Sequence, residues 1–69
     1  MLRERVFICQ FDSRTTRRVA HVRAWDSGEA VEVFLAELRE AGVEGPGQLA
    51  VTPPGGGPRL SRRVRQPRH

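Results

Sequence analysis

Residues 26–42 carry one complete helix signal, and no second one accompanies it in the 69 residues of the chain. Asp26 or Ser27 supplies an N-cap, and Asp26 with Glu29 stands at capping-box spacing. Glu29 and Glu32 occupy the first turn, where the positive end of the helix dipole favours acids. Val31, Phe34, Leu35 and Leu38 then recur at i, i+3, i+4 and i+7, forming one apolar stripe. Gly42 can take the left-handed conformation that ends a helix, so the spacing predicts a helix over 28–41. The stripe has nothing but a sheet to bury against.

The strands that would form that sheet flank the helix. Residues 5–11 are rich in β-branched and aromatic types and too short for a helix. Phe7, Cys9 and Phe11 alternate onto one face, with Val6 and Ile8 on the other. Asp12 to Thr16 supply polar turn chemistry, and residues 17–25 read as the returning strand of an antiparallel hairpin. There Ala20, Val22 and Ala24 share one face, and Val19, His21, Arg23 and Trp25 the other. After Gly42, Val43 is expected to tuck back under the helix. Residues 44–47 make a turn, and residues 48–52 a short third strand. The predicted class is α+β, in the order β-β-α-β: an antiparallel hairpin plus a third strand, with one helix packed on one sheet face.

Pro53, Pro54, Gly55, Gly56, Gly57 and Pro58 then end the pattern. Proline cannot donate to a ladder, and three glycines lose much entropy on ordering. Residues 1–54 are therefore read as a small α+β domain, and residues 55–69 as a flexible, disordered Gly/Pro/Arg-rich tail. Removing residues 58–69 should then leave the body's stability nearly unchanged. A domain this short buries only about 60% of its unfolded surface, so a partner or self-association is expected to help it.

Charge is divided unequally. Residues 1–50 hold seven arginines and all eight acids, while residues 51–69 hold Arg59, Arg62, Arg63, Arg65 and Arg68 and no acid. The net charge of +4 is thus supplied by the tail. The chain has no Lys, Asn or Tyr, the skew of GC-rich codons, which accounts for part of the Arg excess. No apolar run approaches the roughly 20 residues that span a bilayer, and no secretory signal is evident at Met1 to Arg5. A lone cysteine, Cys9, excludes an internal disulfide framework and fits a reducing compartment. The expected location is the cytoplasm.

A hairpin, a capped helix, a Gly/Pro turn and another strand resemble the first part of a ubiquitin-like β-grasp domain. Residues 6–11, 19–25, Asp26 and Ser27, 31–43 and 49–51 carry this topological likeness. The resemblance implies a further strand in the sheet centre, beside the first. Here the sequence departs from the pattern, because residues 60–64, with Arg62 and Arg63 inside them, are a poor candidate for it. The hairpin-then-helix order is also similar to that of HicB-type antitoxins, whose helix-turn-helix is not seen in this sequence.

Catalytic chemistry finds little to work with. Cys9 and His21 sit on neighbouring strands and are the one available dyad, but Cys9 shares a face with Phe7 and Phe11, the setting of an inert core thiol. One Cys and two His make no spaced metal-ligand set. Glu29, Glu32, Glu37 and Glu40 read as a solvated helix surface. Gly55 to Gly57 lack the Lys and Ser/Thr of a phosphate loop and read as a tether, with a ubiquitin-type conjugation tail as the sharper alternative. No enzyme, cofactor or small-molecule substrate is expected. The expected function is a non-catalytic protein-binding or adaptor module, contacting a partner or a second copy through Val6, Ile8, Val19 and His21. Trp25 is expected to staple onto the helix, the alternative being an exposed anchor. The alternative function is a nucleic-acid-associated protein that docks through the tail arginines, with Arg14, Arg17 and Arg18 extending the basic surface.

Overall fold

A computed structural model describes residues 3–43 and 45–65. Strand β1 (Arg5–Asp12) turns through Ser13 to Thr16 into β2 (Arg17–Ala24), and the chain then enters helix α1 (Ser27–Glu40). Strand β3 (Gly47–Thr52) follows, and a short 3-10 turn (Pro54–Gly56) leads to β4 (Leu60–Val64). The four strands form one antiparallel sheet in the order β2-β1-β3-β4.

Local chemistry sets the junctions. In the hairpin turn the Ser13 hydroxyl accepts from the Thr16 amide at 3.1 Å, and the Ser13 amide donates to the Thr16 carbonyl at 2.8 Å. At the helix start Asp26 Oδ1 accepts from the Glu29 amide at 2.8 Å, satisfying one of the donors a helix leaves free. Glu29 Oε1 reaches back to accept from the Trp25 amide at 2.7 Å. At the other end Gly42 takes a φ of 77°, its amide donates to the Arg39 carbonyl, and the Val43 amide donates to that of Leu38. This is the paired closure expected of a glycine C′ residue, and it brings Val43 against the core.

The core lies between α1 and the sheet. Phe7, Cys9 and Phe11 of β1, Val22 and Ala24 of β2, and Leu49 and Val51 of β3 meet Ala30, Val31, Phe34 and Leu38 of the helix. Leu35 of the expected stripe is only half-buried, at the margin of that core.

The α+β order β-β-α-β and the single helix on one sheet face are as expected. One boundary is corrected. Residues 60–64, read as part of an unstructured tail, form a fourth strand that pairs with β3 from Gly47↔Val64 to Val51↔Leu60. Leu60 and Val64 pack partly against the core and so repay the ordering of the strand. The glycine run is accordingly the connection of a second hairpin rather than a tether, with Gly55 and Gly56 at φ of 80° and 81°. Residues 66–69, including Arg68, lie outside the described residues.

A four-stranded antiparallel sheet with one helix is compatible with a β-grasp-like topology. The place beside β1 at the sheet centre is filled by β3, antiparallel to it, and the additional strand β4 lies at the edge.

Candidate binding surface

Strand alternation decides what the sheet turns away from its helix. With Phe7, Cys9 and Phe11 beneath α1, the even-numbered residues of β1 occupy the opposite face. The β1–β2 register places Val6 against Arg23, Ile8 against His21 and Gln10 against Val19. On the other side of β1, Ile8 faces Thr52 and Gln10 faces Ala50, which in turn faces Ser61 of β4. No described element covers this face. Val6 and Ile8 are each 44% exposed and Val19 57%, while the small side chain of Ala50 is buried among its neighbours. His21 is exposed beside Ile8. All four residues expected to form a partner surface are therefore brought together.

Trp25 follows β2 directly and is 49% exposed. Its side chain is thus about half exposed. The residue at N4 is Ala30, fully buried between helix and sheet and too small to hold an indole.

Arginines mark the edges of the open face. Arg17 and Arg23 lie on β2, one edge strand, and Arg63 on β4, the other. At the turn end a row crosses all four strands: Arg17, Asp12, Gln48 and Arg63. Asp12 is the one acid that the described strands place on this face. Gln10 Nε2 donates to its Oδ2 at 2.6 Å and Arg17 Nε to its Oδ1 at 2.7 Å. These two hydrogen bonds, with the positive charge of Arg17 and Arg59, hold the Asp12 carboxyl below its ordinary value. A shallow depression of about 390 Å³ opens beside this row, its lining including Arg14, Arg63 and the chain at Gly45 to Gln48.

The arginines expected to act together as a tail are distributed by β4. Arg63 joins the open face, Arg62 lies opposite Leu49 on the helix side, and Arg59 precedes the strand. Arg65 is exposed just beyond it. Arg18, opposite Phe11, also lies on the helix side. The sequence reading missed Arg23 as a flank of the surface, although the alternation of β2 already put it beside Val19 and His21. Nothing local signalled Arg63, because its face is decided by pairing with β3.

The same alternation separates Cys9 from His21. Cys9 pairs with Ala20 and is fully buried under the helix, whereas His21 pairs with Ile8 on the far face. Burial, with the Glu37 carboxylate nearby, pushes the Cys9 thiol up to about 11. The thiol points to the Ala30 carbonyl at 4.0 Å. Among the described residues no three His, Cys, Asp or Glu side chains gather as metal ligands, and no helix is long and apolar enough to cross a membrane. No protein-family model matches the chain, and no curated protein or solved structure matches it either.

Proposed function

We propose that this chain is a small non-catalytic protein-binding or adaptor module, built on a β-grasp-like scaffold, that presents its open sheet face to a protein partner. The observation that carries this reading is the exposure of Val6, Ile8 and Val19 together on a face that no described element covers. Contiguous exposed apolar side chains on a small domain mark interaction surfaces, because water gains when they are covered. The burial of Cys9 away from His21 supports a role without catalysis. A photo-crosslinking residue placed at Ile8 in cells should give covalent adducts with protein, while the same residue at Glu32, on the exposed side of the helix, should not. Equal labelling at both positions would remove the reading.

A nucleic-acid-associated role has its own observation, the arginines that meet at the turn end of the sheet. Arg14 and Arg63 line the shallow depression there and Arg17 adjoins it through Asp12, while Arg59, Arg62 and Arg65 belong to the same segment of chain, Arg62 on the helix side. Binding through phosphates would make log K fall with log salt by about 0.9 per phosphate neutralised on duplex DNA. Arg→Gln substitutions at Arg59, Arg62, Arg63, Arg65 and Arg68 test this better than truncation, since truncation also removes β4.

A further inference from the structure

We propose that the open sheet face receives an acidic amphipathic helix from a partner protein, a proposal that rests on the protein-binding reading above. The charge pattern is the first support. Cations stand on both edge strands of the face, Arg17 and Arg23 on β2 with Val19 between them and Arg63 on β4, and the central strands between those edges present Val6, Ile8 and Gln10 of β1 and Ala50 of β3. The acid in those strands, Asp12, is already paired with Arg17. Glu4 lies just before β1 and leaves the cationic rim in excess. The opposite layer has the reverse character: α1 turns Glu29, Glu32, Glu37 and Glu40 to solvent against a single Arg39. An aliphatic strip with cationic margins is complementary to an aliphatic stripe with acidic margins.

Dimensions are the second support. Eight-residue strands run about 26 Å at roughly 3.3 Å per residue, and three inter-strand gaps of about 4.8 Å make the face about 14 Å wide. A helix about 10–12 Å across fits between the edges, and about 17 residues of it span the strand length at 1.5 Å each. The sheet already accepts one helix of this kind, since the 14-residue α1 packs on its other face through Val31, Phe34 and Leu38. A second would complete a three-layer domain in which both sheet faces are covered.

Two other occupants fit less well. A second copy docking face to face would set Arg17, Arg23 and Arg63 against the same residues of its twin. A single strand of nucleic acid stacks its bases on aromatic rings, and here the face offers His21, with Trp25 beyond the end of β2.

The test uses the full chain, labelled with nitrogen-15, and three probes. One is an 18-residue peptide helix with a leucine stripe flanked by glutamates, the second the same peptide with lysines for glutamates, and the third a random-sequence RNA 20-mer. Saturable binding of the glutamate peptide is expected, with amide shifts at Ile8, His21 and Thr52 and none on α1. The variant Arg23→Glu/Arg63→Glu, its fold checked by spectral dispersion, should bind that peptide at least tenfold more weakly. Ile8→Ser should weaken both peptides. If the lysine peptide binds as tightly as the glutamate peptide, the acidic-helix proposal fails while the protein-binding reading stands. If RNA alone binds the face, both fall in favour of nucleic acid. Absence of any saturable peptide binding at millimolar concentration overturns the proposal outright.

Discussion

Two glycine-to-alanine substitutions should have opposite signs, and the difference tests the packing of the sheet. Gly47 opens β3 in ordinary extended backbone, so conformation does not require glycine there. Space does. A Cβ at Gly47 would stand 2.6 Å from both the Asp12 carbonyl oxygen and Cε1 of Phe11. Carbon atoms pack at about 3.5–4.0 Å, so the ring would have to move by about 1 Å. Phe11 is 2% exposed and held on a central strand between β2 and β3, where it has no room to swing. Overpacking of this kind costs about 1–3 kcal/mol. Alanine returns about 0.4–1 kcal/mol by restricting the unfolded chain, leaving a net loss of about 1–2 kcal/mol. Gly28 sits in the first turn of α1, where a Cβ meets only Asp26 Oδ1 at 3.4 Å, an ordinary contact. Gly28→Ala should therefore stabilise, by about 0.5–1 kcal/mol. Urea unfolding followed by circular dichroism measures both as shifts of midpoint at constant slope. With roughly 4–8 °C per kcal/mol in a domain of this size, the two melting temperatures should differ by about 6–24 °C. A Gly47→Ala protein as stable as the parent would show that the Phe11 ring does not lie over Gly47.

Phe34→Ala removes a side chain that is 2% exposed at the middle of the helix stripe and should cost about 3–5 kcal/mol. A chain of this length has only about 3–10 kcal/mol to lose, so the variant should be largely unfolded by circular dichroism; an unchanged melting temperature would mean the helix phase is wrong. Deleting residues 59–69 should lower the melting temperature, because β3 loses its ladder to β4 and the core loses Leu60 and Val64. An unchanged melting temperature would return those residues to the status of an independent tail. The Cys9 thiol is raised in the folded protein to about 11 from 9.0, so between those values the unfolded chain has lost a proton that the folded chain keeps. Stability from this group is fully present below pH 9 and should fall as pH climbs from 9 to 11, and Cys9→Ala should flatten that slope. A slope identical in both proteins would place the cause elsewhere.

The helix was legible in the sequence because everything that makes it is local. Asp26 caps the Glu29 amide three residues on, Gly42 closes the last turn, and Val31, Phe34 and Leu38 fall on one side at any 3.6-residue period. The first hairpin was legible for the same reason. Phe7, Cys9 and Phe11 alternate within a single strand, and Ser13 closes the turn onto Thr16. Val6 and Ile8 of the open face followed from that alternation, and the β1–β2 register then set Val19 and His21 beside them.

What lay beyond the sequence was the pairing and register of the strands. Residues 60–64 have two arginines among five residues and follow a glycine run, so no periodicity marked them as a strand. They are one because β3 presents an unpaired edge whose amides and carbonyls need partners, and Leu60 and Val64 land on the core side when that edge is filled. The same pairing sends Arg63 to the open face and Arg62 to the helix side, turning a continuous basic run into part of a rim. Register likewise parted Cys9 from His21, because a residue and its neighbour in a strand point to opposite faces. Capping and alternation are written within a few consecutive residues. A ladder's hydrogen bonds belong to two strands at once, and only the folded chain says which two.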